Sequence, residues 1–475
     1  MSKFYITTSI PYVNAPPHIG FALEVIQADV VARHQRQQGK DVFFLTGSDE
    51  HGSKIAKAAA EASISPKDFT DRISSCFFKL AEALNVSNDD FIRTTDQERH
   101  WPSVRKVWEK LQENGDLEKR TYEGLYCLGC EAFVTEKELV DGKCAIHKKE
   151  PEKVAEENWF FKLSKYGLNL KEKIESNELC IVPEGRKKEV LELIKQGLQD
   201  VSFSRPREKL QWGIPVPGDD TQVIYVWADA LVNYISALGY PQGEKFKTYW
   251  PADVHAVGKD ILRFHATIWP AMLLSLGVKL PKTVFVHGFI TVEGQKMSKS
   301  LGNVIDPFSL VEKYGTDAVR YFFLRELPAT EDGDFSFEKF KTRYNADLAG
   351  GLGNLVARVL AMAEKAGAKP AREFQERSIG EFVDKKGLEA SGLLSNFQFS
   401  SALERIWDVI QFCDRYVEEQ RPWEESEGKK GVLEDLLLAV SRIAGLVSPI
   451  LPGTADRIRE QVASGKKEAL FPRVS

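Results

Sequence analysis

The first third of the chain alternates short, almost uninterrupted apolar runs with stretches whose apolar positions recur every three or four residues. Residues 4–8 are β-branched and aromatic, the pattern of a strand buried on both faces. Pro11 to Pro17 reads as a turn, 19–38 as a helix closed by Gly39, and 41–45 as a second strand running into Gly47-Ser48-Asp49-Glu50-His51-Gly52. Ser65-Pro66 starts a further helix to about Leu84. Strand, helix and strand with polar clusters at the strand ends predict the opening of a doubly wound α/β domain.

From about Lys119 to Val223 the alternation lapses into charged helical pieces around a Cys/His cluster. It resumes with 223–227, 254–257 and 283–286 as strands, so an α/β domain interrupted by an insertion is the simplest account. Beyond about Ala329 the pattern is entirely helical, with 3.6-residue periodicity over 343–366, 396–420 and 431–447.

Charge changes the picture little. The chain carries 64 Lys+Arg against 69 Asp+Glu, and the stretch 328–475 carries 21 against 24, so any nucleic-acid contact must rest on local patches. No run reaches the roughly 18 consecutive apolar residues of a membrane helix. Met1 to Tyr5 leads into the first strand without a signal-peptide core. The cysteines are few for a disulfide framework and three cluster at metal-ligand spacing, so a cytoplasmic location is expected.

Two short patterns carry chemistry. Pro17-His18-Ile19-Gly20 sits where a loop turns into a helix; there the helix dipole favours an anion and glycine lets a phosphate come close. Alone, a His-x-Gly is common. Lys296-Met297-Ser298-Lys299-Ser300, between Gly294 and Gly302, is a glycine-flanked loop with two cations, suited to charge on a leaving pyrophosphate. In this order and spacing the pair resembles the two signatures of the class I aminoacyl-tRNA synthetases. Further motifs narrow the resemblance to the methionine enzymes: Pro11-Tyr12-Val13-Asn14, Asp49-Glu50-His51-Gly52, Tyr225 to Ala230, Gly258 to Ile261, Phe264-His265, and Phe285 to Gly288. The match runs over essentially the whole chain.

A methionine pocket should be aromatic, with one hydrogen-bond donor near the sulfur. The resemblance implies that Ile10, Tyr12, Trp227, Ala230, Tyr234, Ile261 and His265 line it and that Asp49 meets the ammonium. It places Gly20 and Gly258 against ATP, Asp260 on the ribose and His287 near the adenine, with His18, Lys296 and Lys299 as the catalytic groups. Mg²⁺ would accompany ATP. The implied partners are ATP, L-methionine and tRNA(Met).

Cys127-Leu-Gly-Cys130 and Cys144-Ala-Ile-His147 form two knuckles whose four ligands close a tetrahedral zinc site. A closed Cys₃His set leaves no open position, so this zinc would be structural. In the helical part, Asn354 and Arg358 share one helix face, and Pro422-Trp423 follows a helix end; both fall where the family reads the anticodon. The implied organisation is a class I catalytic domain in two halves (1–117 and 225–328) split by a zinc-bearing insertion (118–224). A linking segment (329–342) leads to an α-helical anticodon-binding domain (343–475). Some relatives dimerise through an extra C-terminal domain; this chain stops after its helical part, and a monomer is expected.

One position departs from the family. The first signature is usually His-x-Gly-His, and here its fourth position is Phe21, whose ring donates no hydrogen bond to a phosphate. Two rival readings remain. The first is another class I enzyme, for valine, isoleucine, leucine or cysteine. The insertion is too short for the editing domain expected of the branched-chain enzymes, and a cysteine enzyme would be expected to hold zinc in its amino-acid pocket, whereas these ligands cluster in the insertion. The second is a non-catalytic paralogue that binds tRNA.

Overall fold

Strands β1 (Lys3–Thr8), β2 (Asp41–Ser48), β3 (Asp90–Arg93), β4 (Cys180–Val182), β5 (Val254–Gly258) and β6 (Thr283–His287) build one parallel sheet in the order β3-β2-β1-β5-β6-β4. The computed structural model describes residues 2–127, 129, 132–134, 139–145, 148–297, 302–424 and 428–474. Register runs Tyr5 to Phe43, Ile6 to Val254 and Ala256 to Phe285. The buried β1 sequence reflects neighbours on both sides. Successive strands go to one side of β1 and later to the other, so the order reverses between β1 and β5. In such sheets the crevice at the carboxyl ends of the reversing strands is the usual ligand site.

Two features depart from the sequence expectation. The run 223–227 is not a strand of this sheet: Asp219–Ile224 pairs antiparallel with Ser204–Pro206 and Pro215–Val216, and Val226–Ala230 is a short helix. A five-residue apolar run does not by itself distinguish the two states. Conversely β4, inside the stretch read as an insertion, pairs in parallel with β6 at the sheet edge. Three residues are too few for periodicity to register. The rest of that stretch is built on a long antiparallel pair, Leu117–Cys127 with Glu152–Phe161.

Contacts divide the chain into two interleaved units: Met1–Pro17, Lys40–Lys79 and Asn88–His287 form the first, and His18–Gly39, Leu80–Ser87 and Gly288–Ser475 the second. The first contains the parallel sheet and a core that includes Tyr5, Phe161, Tyr234 and Trp269. The second begins with the helix Ile19–Gln37 and ends in the helices Arg377–Ser395, Phe399–Gln420, Lys429–Val447 and Pro452–Ser464. It is not entirely helical after Ala329: Gly333–Phe335 is a strand paired in parallel with Ile290–Val292. Among the described residues, Phe337–Ala366 is the one helix long and apolar enough to cross a membrane, by length and composition only. Its Leu348, Leu352, Leu355, Val356 and Val359 are buried, and its last part packs on Lys429–Val447.

An ion pair buried in the second unit joins several segments. Asp29 and Arg320, both 0% exposed, meet at 2.7 Å. The guanidinium also donates to the carbonyls of Leu84, Pro449 and Ile450, while Asp29 accepts from the backbone and hydroxyl of Ser87.

Candidate active site

In the first unit, the loop after β1 is stitched to the end of β2. Val13 N donates to Asp49 O at 3.1 Å, and Asp49 N donates to Pro11 O at 2.9 Å. This fixes Ile10 and Tyr12, which pack partly buried on the core, and holds Asp49 at 5% exposure. At the ends of β5 and β6, Gly258 pairs with His287, and Lys259 N donates to His287 O at 3.2 Å. A Cβ on Gly258 would lie 2.8 Å from an Asp260 carboxylate oxygen, so glycine lets that exposed carboxylate fold back over the strand end.

The aromatic residues converge around His265. Trp227 stacks on Phe264 with ring centroids 3.8 Å apart and meets His265 edge-on at 6.4 Å. His265 Nδ1 lies 3.0 Å from Ile261 O, which only accepts, so the proton is on Nδ1 and Nε2 takes the Tyr234 hydroxyl hydrogen at 2.7 Å. Burial lowers the His265 pKa to about 4, and the ring is neutral at neutral pH. Ala230, buried on the same short helix as Trp227, accepts from Asn233 Nδ2 at 2.6 Å. A slot of neutral aromatic groups suits an apolar, polarisable side chain.

Behind it lies a network that the sequence motifs hinted at without assigning. Asp229, 0% exposed, accepts from His51 Nδ1 and His100 Nε2, each at 2.7 Å, and His100 Nδ1 meets Ser236 Oγ at 2.7 Å. Burial alone would raise the Asp229 pKa; the two imidazoles outweigh it and hold the carboxyl below its usual range. The pairing ties the Asp49-to-Gly52 motif to the Tyr225-to-Ala230 motif. An acid inside the Tyr225-to-Ala230 motif and a histidine inside the Asp49-to-Gly52 motif were the available signal; nothing in the sequence pointed to His100.

In the second unit, His18 is the N-cap of Ile19–Gln37. Its Nδ1 accepts from Gly20 N at 3.0 Å, so in the neutral ring the proton sits on Nε2 of an exposed imidazole. A Cβ on Gly20 would approach that ring to 2.7 Å. Lys296 is exposed on a hairpin whose two turn residues, Glu293 and Gly294, have φ of 50° and 74°, as a type I′ turn requires.

These elements have known counterparts. The family described as tRNA synthetases class I (M) matches residues 4–144 and 130–360. The methionine–tRNA ligase of Caldanaerobacter subterraneus subsp. tengcongensis is 46% identical over 472 residues, 97% of this chain and 74% of that protein. That of Mesorhizobium japonicum is 44% identical, over 97% of this chain and 91% of its own. The chain belongs to the methionyl-tRNA synthetase family. Among solved structures, Mycobacterium tuberculosis methionyl-tRNA synthetase in complex with methionyl-adenylate matches with a TM-score of 0.93 at 38% identity, covering 100% of both chains. The free-state structure of that enzyme gives 0.85 at 34% identity, covering 100% of this chain and 99% of its own.

Of the positions that the methionyl-tRNA synthetase resemblance singled out, Lys299, Cys130 and His147 lie outside the described residues. Cys127 and Cys144 are each 3% exposed in one small buried cluster with Val134. Among the described residues no group of three or more His, Cys, Asp or Glu side chains is placed to hold a metal. Asn354 is exposed, while Arg358 is paired with Glu418 at 2.5 Å and Asp414 at 3.8 Å. Pro422 is buried. Trp423, just past the left-handed Arg421 that ends a helix, is 46% exposed, so it is not a core tryptophan. Phe21 is buried at 8% exposure.

Proposed function

We propose that the chain ligates L-methionine to tRNA(Met) in two steps. A methionine carboxylate oxygen attacks the α-phosphorus of ATP, the bond to the β-phosphate oxygen breaks, and pyrophosphate leaves, giving methionyl-adenylate. The 2′-hydroxyl of the terminal tRNA ribose then attacks the adenylate carbonyl and loses its proton as AMP leaves. Positioning and electrostatics carry both steps, with no covalent enzyme intermediate. The observation that carries this reading is the neutral Tyr234–His265 pair inside an aromatic slot, in a chain of this family.

In this reading Ile10, Tyr12, Trp227, Ala230, Tyr234, Ile261 and His265 line the methionine pocket. Asp49, held at 5% exposure, opposes the ammonium. Asp260 and His287 hold the ribose and adenine beside Gly258. His18 at the Gly20 helix start, Lys296 and Lys299 act on phosphate charge, and Mg²⁺ accompanies ATP. A structural zinc would be held by Cys127, Cys130, Cys144 and His147; the shared burial of Cys127 and Cys144 supports it. The Asp141-Gly142 turn, with φ of 50° and 73°, sets Cys144 opposite Leu139 in that cluster. Asn354, Arg358, Pro422 and Trp423 would read the anticodon, and the exposed indole of Trp423 supports that role. The same reading takes 343–475 as the anticodon-binding domain of a cytoplasmic monomer, which sedimentation would check.

Exchange of labelled pyrophosphate into ATP tests the activity. Exchange should depend on methionine and not on valine, isoleucine, leucine or cysteine. A methionine-independent or absent exchange would overturn the reading.

A further inference from the structure

In the second unit both aspartates of Glu331-Asp332-Gly333-Asp334 are committed to one hairpin. That hairpin joins Ile290–Val292 to Gln295–Lys296 and presents Lys296. Its turn is poor by composition. A type I′ turn needs positive φ at both central residues and favours Asn, Asp or Gly, whereas here Glu293 takes φ of 50° ahead of Gly294. A residue with a side chain holds that conformation only where its surroundings over-determine it. The strand Gly333–Phe335 supplies them. Phe335 O accepts from Glu293 N at 3.1 Å and Asp334 Oδ1 accepts from Gly294 N at 2.7 Å, so each turn residue is tied by its N–H. The same Oδ1 lies 2.7 Å from the Thr291 hydroxyl, whose alternative acceptor, Gly333 O, is farther at 3.2 Å. At the hairpin base Asp332 Oδ1 accepts from Phe289 N at 2.9 Å. Burial would raise the Asp334 pKa; the Gly294 and Thr291 donors outweigh it and hold the carboxyl below its usual range.

Register carries this brace to the lysine. Thr291 pairs with Asp334 on one side and with Lys296 on the other, so the three form one row across three strands and share a face. Lys296 is exposed, and the backbone that carries it decides where its ammonium stands. Asn303 Nδ2 donates to Lys296 O at 3.2 Å and ties the far side of the row. We infer that Asp334 is a positioning residue for adenylate formation: it touches no reactant, and it holds the hairpin so that Lys296 meets the pyrophosphate as it leaves. The inference rests on the ligase reading above, in which Lys296 acts on phosphate charge. The acceptor oxygen matters here more than the charge, since both bracing bonds end on Oδ1, while Oδ2 stands 3.9 Å from Lys339.

The test measures methionine-dependent pyrophosphate exchange and the affinity for inorganic pyrophosphate, on wild type, Asp334→Ala, Asp334→Asn and Lys296→Ala. Asp334→Ala should lower kcat for exchange about tenfold or more, the order expected when a catalytic group is misplaced, with KM for methionine near its wild-type value. It should also bind pyrophosphate more weakly. Asp334→Asn keeps an acceptor oxygen and should restore most of both. In a Lys296→Ala background Asp334→Ala should cost little more, because the two act through one ammonium. Equal losses from Ala and Asn, a loss confined to the KM for methionine, or the same loss with and without the Lys296 ammonium would overturn the inference. If Asp334→Ala does not fold, Thr291→Val removes one of the two bonds and should show a smaller loss of the same kind; wild-type kcat and pyrophosphate affinity in that variant would overturn it. A wild type without exchange would sink the ligase reading instead, while the pyrophosphate affinities would still decide the role of Asp334.

Discussion

Acid should unlock the proposed methionine pocket through one residue, His265. Its imidazole is buried, donates from Nδ1 to Ile261 O and accepts at Nε2 from Tyr234. Adding a proton to Nε2 would take away the acceptor of the Tyr234 hydroxyl, which must turn its hydrogen aside, and would bury a charge in a dry site. The folded-state pKa is about 4, against about 6.5 for a free histidine. Because the folded value is depressed, the unfolded chain binds the proton first as pH falls. Stability is therefore intact above the unfolded value and is lost as pH drops from about 6.5 toward 4. The full loss is about 3 kcal/mol, of which about 2 kcal/mol has gone by pH 5. Nearby His255 is also lowered, by burial and then by the charge of His265, so the two resist protonation together. Carbon-13 labelling of the 8 histidines gives the assay: the resonance missing from His265→Gln should not titrate between pH 7.5 and 5. Gln keeps an acceptor for Tyr234, and this variant should show a smaller acid loss in urea-unfolding midpoint than the wild type. A wild-type midpoint near 6.5 for that resonance, or equal acid losses in both proteins, would refute the reasoning.

Arg320→Met should cost about 3–5 kcal/mol, because it takes one of two guanidinium partners from the buried Asp29 charge, leaving Arg33 at 2.8 Å, and leaves three carbonyls without this donor; a calorimetric loss under about 1 kcal/mol would show the pair to be dispensable. Cys144→Ser should lower zinc content below the roughly one ion per chain expected of the wild type and loosen the insertion, and metal analysis finding no zinc in wild type purified without chelator would end that proposal. Trp423→Ala should cut aminoacylation about tenfold or more through a lost stacking surface while leaving exchange near normal; a parallel fall in both would argue for a packing role.

The sequence was most legible where the chain is regular and the chemistry sits on short motifs. The sheet strands at 3–8, 41–48, 254–258 and 283–287 announced themselves as apolar runs, and the first helix ended within a residue of its expected limit. β4 and Gly333–Phe335 did not, because three-residue strands owe their state to pairing partners far along the chain. The helices Arg377–Ser395 and Pro452–Ser464 also passed unread; both carry many charged or small residues between their buried positions. At the site, aromatic and acidic positions could be named from motifs, whereas the choice of donor and acceptor could not. That His265 accepts from Tyr234 follows only from the carbonyl of Ile261 on its other side. That His100 belongs with His51 depends on Asp229, 129 residues away.

The same distinction bears on Phe21. In this chain the first and fourth positions of the signature do different work. His18 is tied to main-chain groups: its Nδ1 takes the Gly20 N–H, and its carbonyl takes those of Phe21 and Ala22. The N–H groups of Gly20, Phe21 and Ala22 are thus engaged, and the helix dipole still favours an anion at this end. No acidic residue in the first turn cancels that dipole. The side chain at position 21 is a buried ring, which offers a phosphate no hydrogen-bond donor. An imidazole there would add one donor; its absence removes no part of the arrangement that sets the tautomer of His18 or the field at the helix start. Phe21 therefore marks a site where this chain has exchanged a polar contact for packing, and it gives no ground for reading the chain as a non-catalytic paralogue.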